Sequence, residues 1–147
     1  MTQPDAWPDA FLAAVIDTIL PGEEVNGQGR PLPAGSRVGL DGRAHAAGHG
    51  AVFARIAEAA GGPAGFVAAD ADRREAVLAT VEAAAFAPFR ALVNALLADY
   101  YEHPDVLACF GWRSAPPQPE GHAIAGADAA FGAALERVRA RGPIWRR

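Results

Sequence analysis

Asp9-Ala10-Phe11-Leu12-Ala13-Ala14-Val15-Ile16-Asp17-Thr18-Ile19-Leu20-Pro21-Gly22 is the stretch whose reading decides the fold class. Phe11, Leu12, Val15, Ile16, Ile19 and Leu20 recur at helical spacing and form one apolar stripe, so a helix is predicted over roughly Asp9 to Leu20. Pro8 suits a helix start, where its missing N–H costs nothing, and Pro21-Gly22 ends the helix. The rest of the chain repeats this chemistry. Of 147 residues 36 are alanine, whereas Val, Ile and Thr together number 18. Alanine has the best helix propensity and β-branched residues favour strands, so the expected fold is all-α.

Downstream of Pro21 the composition changes. Residues 21–42 hold three prolines and six glycines, a long irregular segment of the kind that is functional or clamped by a partner. A second helix is expected from about Arg43 to Ala60, with Val52, Phe53 and Ile56 inward and Gly48 and Gly50 weakening its first half. A short helical turn around Phe66-Val67 follows Gly61-Gly62-Pro63. Asp72 and Glu75 have capping-box spacing ahead of a third helix that contains Val77, Leu78 and Val81. Pro88 divides or kinks the chain before a fourth helix carrying Phe89, Leu92, Val93, Leu96, Leu97 and Tyr100. Residues 103–125 read as extended and turn-rich, and Pro116-Pro117-Gln118-Pro119 cannot continue a helix. A fifth helix, about Ala127 to Arg141, should bury Phe131, Leu135 and Val138. The expectation is one domain over residues 1–147: a compact bundle of about five helices with irregular segments near 21–42 and 103–125.

Absences narrow the chemistry. All 13 basic residues are arginine, which removes lysine Schiff bases, a P-loop lysine and a Ser-Lys dyad. Cys109 is the single cysteine, so no internal disulfide or cysteine-held iron–sulfur cluster is possible. It reads as a small buried hydrophobe. Ser36 and Ser114 sit in no GxSxG elbow, and Gly27, Gly29 and Gly35 form no GxGxxG. A net charge of −4 argues against nucleic acid as the main partner. No apolar run approaches the ~20 residues of a membrane helix, so no direct membrane insertion is expected. Met1-Thr2-Gln3-Pro4-Asp5 lacks a basic leader, which reads as cytoplasmic.

Two candidate clusters remain. His45 and His49 stand i, i+4 on the second helix and could join Asp41, His103 or His122 at a metal; the competing reading is satisfied polar or interface histidines. Arg73-Arg74 reads as a solvated helix face. The aromatics Tyr100, Tyr101, Phe110, Trp112 and Trp145 gather around the proline-rich stretch, and Arg113 and Arg146 follow the two tryptophans. They either pin loops to their own core or anchor an interface, a role for which Trp, Tyr and Arg are enriched. The candidate interface set is Tyr100, Tyr101, Trp112, Arg113, Trp145 and Arg146.

Three short elements carry a resemblance. Asp17-Thr18-Ile19-Leu20-Pro21-Gly22, then Tyr100-Tyr101-Glu102-His103-Pro104-Asp105-Val106 with Gly111-Trp112, and Pro117-Gln118-Pro119-Glu120-Gly121-His122 occur in the order found in the gluconate 2-dehydrogenase subunit 3 family, which the chain resembles. The resemblance implies a non-catalytic small subunit beside a large FAD-dependent oxidoreductase of the glucose-methanol-choline type. FAD would reside in that partner and no cofactor in this chain. Many relatives begin with a twin-arginine export signal, which is not seen here. The alternatives are a stand-alone helical enzyme with a His-based metal site, or a self-associating helical scaffold.

Overall fold

The structure, a computed structural model, describes residues 7–24, 30–112 and 129–142. Among them the chain is helical, and the expected all-α class holds; the extended pairing there is a single antiparallel bridge between Glu23 and Leu32. The chain falls into two compact units, Met1–Ser114 and Ala115–Arg147.

The first unit is built on α1 (Asp9–Ile19), whose first free N–H groups are met by the Pro8 carbonyl, which accepts from Phe11 and Leu12. Its stripe forms the centre of the core. Phe11, Val15 and Ile16 are essentially inaccessible, and the Phe11 ring meets Phe53 and Phe66 edge-on. Such tilted pairs add to the area term, and each fully buried aromatic or aliphatic side chain contributes about 1.5–3 kcal/mol.

Helix α2 (Gly42–Ala59) is capped by Asp41, whose carboxylate accepts from the N–H groups of Arg43 and Ala44 at 3.0 Å each. It buries Val52, Phe53 and Ile56 as expected. His49, between Gly48 and Gly50, leaves helical geometry (φ −129°, ψ 29°) and kinks the helix. Two flanking glycines supply little helical preference to resist that bend.

Helices α3 (Pro63–Ala68) and α4 (Ala71–Ala84) are joined by Arg74, which corrects the reading of Arg73-Arg74 as a solvated pair. Arg73 is exposed, but the Arg74 guanidinium donates to the carbonyls of Phe66 and Val67 and lies 5.9 Å over the Phe66 ring. It thus adds side-chain bonds to the last carbonyls of α3, of which that of Phe66 also accepts from the Ala69 N–H. The cap of α4 is Asp70, which accepts from Arg73 N–H at 2.8 Å, not the Asp72–Glu75 pair.

The break before α5 (Phe86–Glu102) falls at Ala85, three residues ahead of Pro88. Proline is accommodated in the first helical turn, where its missing N–H has no intrahelical partner to lose. Short helix α6 (Pro104–Cys109) replaces part of the segment expected to be extended, with Pro104 in its first turn. Residues 113–125 of that segment lie outside the described residues.

The second unit contributes α7 (Ala129–Arg141). Its helical period was read correctly, but burial of its stripe was not: Phe131, Leu135 and Val138 are all exposed. Periodicity is a local property and does not say whether a stripe is covered.

Candidate docking face

Three segments of the first unit converge on residues 30–38. The end of α1 holds them from one side. The Asp17 carboxylate accepts from Ser36 N–H at 2.8 Å and from its hydroxyl at 2.7 Å, and Leu20 C=O accepts from Gly35 N–H. Glu23 and Leu32 exchange both main-chain hydrogen bonds, at 3.0 and 2.8 Å. Gly22 makes this approach possible. Its φ is +77°, and a Cβ there would sit 2.6 Å from the Leu32 oxygen, so any side chain would push the two strands of the loop apart.

From the other side, α5 delivers Tyr100. Its ring is buried and its hydroxyl donates to the Pro33 carbonyl at 2.6 Å. Burial raises the Tyr100 pKa above its ordinary value, and nearby Tyr101, Cys109 and Glu23 push in the same direction. Both motif elements whose residues are described therefore close on the same loop, Asp17 on Ser36 and Tyr100 on Pro33.

Outward from Tyr100 runs a chain of aromatic contacts: Tyr100 to Tyr101 at 5.3 Å, Tyr101 to Phe110 at 6.2 Å and Phe110 to Trp112 at 6.1 Å. Tyr101 is 49% exposed and Trp112 68%. Trp112 is exposed yet its backbone is held. Gly111, at φ +74°, turns the chain so that its N–H reaches Ala108 C=O and the Trp112 N–H reaches Leu107 C=O, each at 3.0 Å. This left-handed glycine cap satisfies the final carbonyls of α6 and fixes where the indole starts. Arg30 donates to Ala108 C=O at 2.8 Å and ties the loop to the same helix end.

Between the loop and α6 lies an open groove of about 740 Å³. Leu32, Pro33, Val38 and Cys109 form its apolar part, and Glu23, Glu24, Asp105 and Arg37 its charged part. Cys109 is only partly buried, which corrects its reading as a core hydrophobe; its thiol donates to the Asp105 carbonyl. The α6 turn is capped by His103, whose Nδ1 accepts from Asp105 N–H at 3.3 Å.

The other sequence-derived residues separate. His45 is buried and its Nε2 lies 3.0 Å from the Asp99 carboxylate, joining α2 to α5, whereas His49 occupies the kink. Asp41 is taken by its capping bonds and His103 caps α6, so these four do not assemble. Among the described residues no group of three or more His, Cys, Asp or Glu side chains could hold a metal ion. No described helix is long and apolar enough to cross a membrane.

Of the six interface candidates, Tyr101 and Trp112 present aromatic surface, and the buried Tyr100 packs edge-on against Tyr101. Arg113, Trp145 and Arg146 lie outside the described residues, as does His122. The sequence reading missed the roles of Arg30, Pro33 and Ser36. Asp17 lay inside the quoted motif and could have signalled the last of these.

Comparison with protein-family models, with curated proteins and with solved structures found no match to this chain.

Proposed function

We propose that the chain is a non-catalytic small subunit that docks on a large FAD-dependent oxidoreductase of the glucose-methanol-choline type, which oxidises an alcohol, sugar or sugar acid. The observation that carries this reading is the convergence of Asp17 and Tyr100, from two separate elements of the resemblance, on one loop beside the exposed Trp112. A motif that serves catalysis brings reactive groups together. These motifs instead lock a loop and a helix end in place, which suits preorganisation of a binding surface. Electron transfer and FAD binding belong to the large subunit in this reading, and the pair works in the cytoplasm.

The test is co-expression with a glucose-methanol-choline type oxidoreductase of the same genome. The reading requires that the two purify together and that the large subunit alone be less soluble or less stable. The exposed Leu135 and Val138 on α7 favour a second reading, a self-associating helical scaffold. Sedimentation of the isolated chain separates the two: a scaffold forms defined oligomers without a partner.

A further inference from the structure

We infer that the groove between residues 30–38 and α6 receives an extended, basic and aliphatic segment of the partner protein, with arginine or lysine side chains opposite Glu23, Glu24 and Asp105. This rests on the docking reading above and deepens it by giving the charge of the opposing surface.

Three observations carry the inference. The groove has an apolar wall, Leu32 and Val38, that a small polar ligand would leave unused. Among its described lining residues three carboxylates stand against the guanidinium of Arg37; Asp105 has His103 Nδ1 at 3.9 Å, and among the described residues neither Glu23 nor Glu24 forms a salt bridge. The main chain under two of the carboxylates is held: that of Glu23 by its paired bonds with Leu32, and the Asp105 N–H by the His103 cap. A negative rim beside an apolar wall is complementary to a segment that alternates basic and aliphatic residues, and opposite charges across an interface set partner choice and encounter rate. An acidic segment would face like charges here.

The probe is a short amidated peptide alternating arginine with leucine, titrated into the full chain beside a control peptide with glutamate in place of arginine. Saturable binding of the basic peptide is expected, with amide shift changes at Glu23, Leu32 and Cys109, and none with the acidic control. Glu23→Gln with Glu24→Gln should weaken binding roughly three- to tenfold, and added salt should weaken the wild type in the same direction. Both residues are exposed, so an unchanged circular dichroism spectrum verifies the fold of the variant. Equal binding of the two peptides, no saturable binding, or an unaltered affinity in the double variant would overturn the inference. So would a peptide that acts only by dissociating a dimer of the chain, since the occupant would then be a second copy. The readout needs no flavoprotein. Basic-peptide binding at these residues therefore upholds the groove even where co-purification fails and the oxidoreductase reading falls.

Discussion

The Tyr100 hydroxyl donates to the main-chain carbonyl of Pro33 at 2.6 Å, a bond between residues 67 positions apart that joins the end of α5 to the loop after α1. Proline has no N–H of its own and a fixed φ, so its carbonyl is the one main-chain hydrogen-bonding group through which this position can be held. Tyr100→Phe should keep the packing and lose the bond, costing about 1 kcal/mol in chemical denaturation and speeding amide exchange at Leu32 and Gly35. The pH dependence follows from the raised pKa. The unfolded chain ionises its tyrosine first, near pH ~10, and the folded chain later. The contribution of Tyr100 is therefore complete below pH ~10 and is lost as pH rises through the folded value. The stability gap between wild type and Tyr100→Phe should shrink above that pH; a gap constant into alkali contradicts the assignment.

Asp17 holds the loop from the opposite side through two bonds to Ser36. Asp17→Ala should cost about 1–3 kcal/mol, because it leaves a partly buried N–H and hydroxyl without their charged acceptor. Asp17→Asn keeps one acceptor and should recover part of the loss. Equilibrium unfolding of both variants tests the order; equal stabilities would show that the carboxylate does not hold the loop.

His45 and Asp99 form the polar link between α2 and α5. A double-mutant cycle over His45→Ala and Asp99→Ala should return a coupling of about 0.5–1 kcal/mol, smaller than either single loss, since truncation at His45 also opens the core. A coupling of zero would mean that the histidine is held by packing alone.

How far the sequence carried can be judged from particular residues. Helix α1 was legible because its apolar period and flanking prolines agree, and the apolar period also located α2, α5 and the presence of α7. Prolines caused the errors. Pro88 was read as either a break or a kink and Pro104 as part of an extended run, yet both sit in first turns, where proline starts a helix as readily as it breaks one elsewhere. The aromatic cluster was visible as composition, but that Tyr100 is buried while Tyr101 and Trp112 are exposed depends on where α6 turns back, a tertiary fact. Arg74 and Asp17 act across eight and nineteen positions respectively, a reach that no local pattern encodes.

Trp112 separates docking from folding. At 68% exposure its truncation to alanine should change the stability of the isolated chain by less than about 0.5 kcal/mol. If the face docks a partner as proposed, the same truncation should weaken partner binding by about 2 kcal/mol, at least about twentyfold. Thermal unfolding and binding measured on one preparation decide it. A large loss of stability with a proportionate loss of binding would make Trp112 a structural residue.

The most direct measurement of the central claim is the absorption spectrum and subunit composition of the complex recovered when this chain is co-expressed with a glucose-methanol-choline type oxidoreductase of its own genome. The account predicts a stoichiometric pair that carries a flavin spectrum, with the isolated small chain colourless and without alcohol-oxidising activity. Recovery of this chain alone beside a soluble, fully active large subunit would contradict it, and so would flavin or activity in the isolated small chain.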